Sequence, residues 1–136
     1  MKEYLKSQPL AGVSVAVVLE ITGENEKNYY VFLVNNSSQT LKDCIIASRG
    51  YGLEIETQTK IETSTLRHFL DELSPHSYVK IEPIMEEVFG LNNEYWVSFW
   101  IDDMMYDKRF IFLPESIDEE NMVHIPLMQQ KGVIIQ

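Results

Sequence analysis

Between Val13 and Val34 the chain reads "VSVAVVLEITGENEKNYYVFLV", and its pattern decides the class of fold. Val13, Val15, Val17, Leu19 and Ile21 fall on one side of a period of two; Ser14, Ala16, Val18, Glu20 and Thr22 fall on the other. Successive side chains of an extended backbone point to opposite sides, so this is a strand with one buried face. "TGENEKN" then supplies a turn. Tyr29 to Val34 is a continuous apolar run, expected of a central strand covered on both sides.

Working outward, the same logic recurs. In "LKDCIIAS" Cys44 and Ile46 oppose Asp43, Ile45 and Ala47. "RGYG" reads as a turn, its two glycines permitting positive φ. "LEIETQTKIE" alternates cleanly, with Leu53, Ile55 and Ile61 on one face and Glu54, Glu56, Lys60 and Glu62 on the other. The segment at residues 64–73 has two readings. Leu66, Phe69, Leu70 and Leu73 follow the spacing of a short amphipathic helix, with Ser64 as N-cap. In period two it is instead a strand followed by a turn at Ser74 to Ser77, and the surrounding strands favour that reading. "YVKIEPI" is a further strand with Pro83 near its end. "MEEVF" continues it after a bend, and "MVHIPLMQQKGVIIQ" closes the chain with one or two short extended segments.

About seven or eight short strands at roughly ten-residue spacing, with no long helix between them, predict an all-β, mainly antiparallel, two-sheet immunoglobulin-like β-sandwich. The Cys…Trp…Cys signature of true immunoglobulin domains is absent, so the expectation covers architecture alone. The 136 residues are expected to form a single domain, residues 1–136.

Composition narrows the function. The chain carries 11 Lys and Arg against 21 Asp and Glu, a net charge of −10. Nucleic-acid binding draws its affinity from cationic side chains that release counterions, so an acidic surface argues against it. Anionic membranes are disfavoured for the same reason. A basic partner protein is the specific reading of the charge and plain solubility the general one. Cys44 stands alone, which points to a reducing, cytoplasmic setting. Lys2 and Lys6 before "LAGVSVAVVL" give a cleaved signal peptide as the weaker alternative, since Glu3 and the clean alternation oppose it.

Motifs for chemistry are missing. His68, His76 and His124 lack the spacing of a metal site, and no acidic cluster forms a calcium loop. No nucleophile elbow or glycine-rich phosphate loop occurs, so neither a cofactor nor a catalytic residue is assigned. An enzyme would need a deep pocket where one His and one carboxylate converge.

The candidate surface lies in "EYWVSFWIDDMMYDKRFIF", residues Glu94 to Phe112, where seven of nineteen residues are aromatic. Tyr95, Val97, Phe99 and Ile101 form a core face. Trp96 and Trp100 share the other with Ser98 and Asp102, about 13 Å apart along an extended strand. Core packing, a protein or dimer contact, and stacking on a sugar are the three readings of this pair. A two-residue loop at Asp103-Met104 sets Ser98 opposite Arg109 and lets Arg109 lie over a Trp ring; a three-residue loop reverses the parity. Asp102 and Asp103 are the adjoining acidic pair. The tail "KGVIIQ", with Val133, Ile134 and Ile135, either closes a sheet at home or adds a strand to a second copy.

The function expected is therefore a non-catalytic protein-interaction module, in a homodimer or with another protein. A small-ligand or carbohydrate-binding sandwich is the alternative, and a hydrolytic enzyme the least favoured reading.

Overall fold

A computed structural model describes residues 3–5 and 11–136. Eleven strands occur among them: β1 (Glu3–Leu5), β2 (Val13–Thr22), β3 (Glu26–Asn35), β4 (Leu41–Leu53), β5 (Lys60–Glu62), β6 (Leu66–Leu73), β7 (Ser77–Pro83), β8 (Asn92–Ile101), β9 (Met104–Phe112), β10 (Val123–His124) and β11 (Lys131–Ile135). Eight of these span five residues or more. Two short 3-10 turns, at Glu86–Val88 and Glu119–Asn121, are the helical elements among the described residues. No helix among them is long and apolar enough to cross a membrane.

The strands form a two-sheet β-sandwich. In the front sheet β1, β9, β8 and β4 are neighbours, and β5 and β6 both pair with the far side of β4. The back sheet runs β10-β11-β2-β3-β7. Every pairing is antiparallel except β1 with β9.

Valines of β2 meet Cys44 and Ile46 of β4, Val97 and Phe99 of β8, and Phe110 and Phe112 of β9 in the layer between the sheets. β2 was expected to bury one face and buries both. On the outer side of the back sheet, Ala16 and Val18 pack with Phe32, Val34, Ile125 and Met128. The loop before β11 thus covers β2 and β3, which accounts for the unbroken apolar run of β3.

Residues 64–73 are strand from Leu66 onward, the reading that the surrounding strands favoured, and no helix forms there. Three other expectations are corrected. "RGYG" is the interior of β4, where Gly50 and Gly52 do not adopt positive φ. A Cβ on Gly52 would stand 3.1 Å from Leu91, so these glycines admit a neighbouring side chain. "LEIETQTKIE" is mostly turn: residues 54–59 reverse the chain, Gln58 takes φ 57°, and Ile55 is 87% exposed. "MEEVF" likewise bends into a 3-10 turn rather than extending the strand. Of the signal-like segment, Lys2 and Lys6 to Leu10 lie outside the described residues, and Val13 onward is β2.

Cys44 sits fully buried against this core. Burial, with the Asp43 charge adding to it, pushes its thiol from about 9 up to about 11. Burial, and secondarily the Glu82 carboxylate, raise the Tyr95 phenol as well. An acid held protonated by the fold contributes stability below its unfolded pKa, and that contribution is lost as pH climbs to its native one. From pH 9 to 11 the unfolding free energy should fall by about 2–3 kcal/mol through Cys44 alone. Denaturant titrations across that range test this: Cys44→Ala should flatten the slope, and an unchanged slope would refute it.

Candidate interaction face

The candidate face is the outer side of the front sheet, and pairing register assigns each side chain to it. β8 and β9 reverse at Asp102 and Asp103, one residue earlier than the loop considered from sequence. Asp102 takes φ 52°, a left-handed conformation that Asp tolerates better than most residues. Ile101 therefore pairs with Met104, and Trp96 stands directly across from Arg109 instead of Ser98. The parity is that of a two-residue loop, so Arg109 still shares the outer face with both tryptophans. Its guanidinium lies 4.6 Å from the centre of the Trp96 ring.

Neighbouring strands complete the face. Trp96 pairs with Ala47 of β4, and Ala47 with Arg67 of β6, giving the row Arg67–Ala47–Trp96–Arg109. One row along, Phe69 pairs with Ile45 and Ile45 with Ser98. On the other side lies Arg49 beside Glu94. Phe69 is 63%, Ile45 48% and Trp96 42% exposed, high values for large apolar side chains standing together. All three arginines of the chain are on this face.

Glu94 organises two of them. Its side chain is 6% exposed and accepts from Arg49 Nε at 3.0 Å and lies 3.3 Å from Arg109 Nε. Two guanidiniums around one sheltered carboxylate hold Arg109 in place over Trp96, which makes the ring a fixed platform rather than a mobile one.

The remaining sequence candidates scatter. Trp100 is half-buried, paired with Met105 and Lys42, so of the two tryptophans Trp96 is the more open. Arg109 occupies one face of Trp96. Asp102 and Asp103 sit exposed at the hairpin tip, away from Trp96. The tail pairs at home: Gly132 to Ile135 bond β2 from Val18 to Val15, Val133 is buried between the sheets, and Ile134 packs on the back-sheet cluster. These side chains are core rather than contact surface.

A second polar group lies inside. Glu82 of β7 crosses to the front sheet, where it accepts from Ser48 Oγ (3.1 Å) and Tyr95 OH (3.1 Å) and meets His68 Nε2 at 2.7 Å. A cleft of about 270 Å³, lined by Ser48, Leu66, Ile84, Met85 and Tyr95 among others, opens beside it. His and carboxylate do converge here. Yet the Ser48 hydroxyl donates to the carboxylate, not to the imidazole, so it is not arranged as a base-activated nucleophile. The group's geometry is that of a tie between sheets. Among the described residues no three His, Cys, Asp or Glu side chains are grouped as a metal site.

The sequence placed Trp96 and, with a two-residue loop, Arg109 on this face, and did not place Ile45, Phe69, Arg49 and Arg67 there. The available signal was that every arginine falls within three of the strands that make one sheet. Compared with protein-family models and with curated protein sequences, the chain matches none.

Proposed function

We propose that the protein is a non-catalytic protein-interaction module whose contact surface is the outer face of the front sheet. The observation that carries this reading is an asymmetry between the two sheets. On the back sheet's outer face the loop carrying Ile125 and Met128 covers β2 and β3 and leaves Tyr78 of β7 exposed, while Phe69, Ile45 and Trp96 lie open together among guanidiniums. Contiguous exposed apolar side chains on a folded domain mark contact sites, and Trp and Arg are the residues in which binding energy concentrates. Arg109 across the Trp96 ring leaves less of it for stacking on a sugar.

The strand order also supports the immunoglobulin-like reading. β2-β3-β7 opposite β4-β8-β9 repeats the adjacency of the two sheets in that architecture, with β6 extending the second. The lone buried Cys44 supports a reducing, cytoplasmic setting.

The test is differential capture from the cells that express the chain. Trp96→Ser combined with Ile45→Thr should keep the fold, at a cost of about 0.5–1 kcal/mol for the lost cation–π contact. Proteins retained by the native chain should be lost with this variant and kept by Tyr78→Ser on the back sheet. An identical set with all three chains refutes the face. A tryptophan-fluorescence response to oligosaccharides that disappears in the Trp96 variant would favour the carbohydrate reading instead.

A further inference from the structure

The front sheet ends in one long, regular edge strand, β6. Exposed edges are normally blunted by shortness, Pro, Lys or bulges, because their free N–H and C=O groups recruit other strands. β10, β1 and β5 have three residues or fewer. β7 carries Lys80, Pro83 and a register shift opposite Val31 and Phe32. β1 covers the start of β9, whose remainder carries Lys108. β6 has eight residues, "LRHFLDEL", in regular register with β4 and without Pro, Gly or Lys; its outward charges, Arg67, Asp71 and Glu72, are of both signs rather than one.

One row of its exposed side chains is self-complementary. Arg67, Phe69 and Asp71 are exposed, alternating with half-buried His68 and Leu70. Arg67 and Asp71 join no ion pair among the described residues, and four residues along a strand they stand about 13 Å apart, too far to meet each other. An antiparallel pair of β6 strands with its two-fold axis at Phe69 changes this. Arg67 then faces Asp71 of the second copy, Asp71 faces its Arg67, and the two Phe69 rings adjoin. On the other side His68 faces Leu70, and exposed Leu66 faces Glu72. A single register satisfies both charges and both aromatics at once.

We propose that two copies of this chain associate through β6, edge to edge, so that the two front sheets become one continuous sheet. The interface is isologous, as a two-fold axis demands. Its product is a double-width face bearing two Trp96–Arg109 platforms on the same side. Arg67 and Phe69 belong to both the edge and the face discussed above, whereas Trp96 and Ile45 lie on β8 and β4, away from the two-fold seam, so variants there and at Arg67 or Asp71 test the two proposals separately.

Sedimentation equilibrium of the purified chain at about 0.15 M salt, where fields beyond ~8 Å are screened, provides the test. The native chain should show a concentration-dependent dimer. Arg67→Asp and Asp71→Arg each set two like-charge pairs across the axis and should weaken association about tenfold or more, with unchanged circular dichroism. An equimolar mixture of these two variants should recover the dimer, because each carboxylate of one copy then faces a guanidinium of the other. Trp96→Ser should leave the association intact. A native chain that is monomeric at every concentration overturns the proposal. So does a dimer indifferent to both charge reversals, or a mixture of the two variants that stays monomeric.

Discussion

Replacing Glu82 with alanine is expected to lower the unfolding free energy by about 3–5 kcal/mol, a large effect for one side chain outside the apolar core. The residue belongs to the edge of the back sheet, and all three of its side-chain partners belong to the front sheet. Tyr95 and Ser48 are buried, so removing the acceptor strands two hydroxyls away from water, at about 1–3 kcal/mol for each. His68, at 2.7 Å, loses its partner as well. Glu82→Gln keeps an acceptor oxygen for one hydroxyl and should cost less. A double-mutant cycle separates this account from simple loss of volume. Tyr95→Phe should destabilise the native chain yet be neutral or stabilising beside Glu82→Ala, because it then deletes an orphaned hydroxyl. Additive effects, or a loss below about 1 kcal/mol for Glu82→Ala, would mean the tie contributes little. Urea midpoints at neutral pH give the answer.

The same cluster shows where sequence stops being informative. Period-two patterning reports which side chains share a face, and that is local information. It gave β2 and β8 as strands but left the side taken by Arg109 to the length of the hairpin loop, and the observed loop sets Arg109 beside the tryptophans. It does not report what covers a face. Ala16 and Val18 are buried because residues over a hundred positions later pack on them. Ile55 alternates as well as any core residue and is exposed, since no strand lies beside it. Glycine is ambiguous in the same way. Gly50 and Gly52 were read for their backbone freedom, whereas their missing side chains make room for Leu91. Phe69 was obscured because Leu66 to Leu73 satisfies both helical and extended spacing. Only the paired register with β4 exposes Arg67, Phe69 and Asp71 as one row. The glutamates show the limit most sharply: in an acidic chain nothing local separates Glu82 and Glu94, each set among fixed partners, from their solvated neighbours.

Removing residues 131–136 is expected to abolish folding. β11 lies inside the back sheet, between β10 and β2, so its loss takes two ladders apart rather than trimming an end. Gly132 marks how close the approach is: a Cβ there would come within 2.3 Å of the Val17 carbonyl oxygen, a contact only glycine permits. Val133 is buried between the sheets, and Ile134 and Ile135 pack on either side. Burial of such side chains is worth about 1.5–3 kcal/mol each when complete, so three of them approach the roughly 5–15 kcal/mol that holds a domain of ordinary stability together. What remains is worse than a weaker fold. The newly bared edge of β2 reads "VSVAVV", apolar, uncharged and free of Pro, the kind of strand that pairs indiscriminately. The truncated chain should therefore be recovered as aggregate, without the native far-ultraviolet spectrum. Gly132→Ala should move the same way by degrees, lowering the denaturation midpoint while leaving the chain soluble. A shortened chain that is soluble, folded and monomeric would show β11 to be dispensable and return the tail to the role of a strand offered to others.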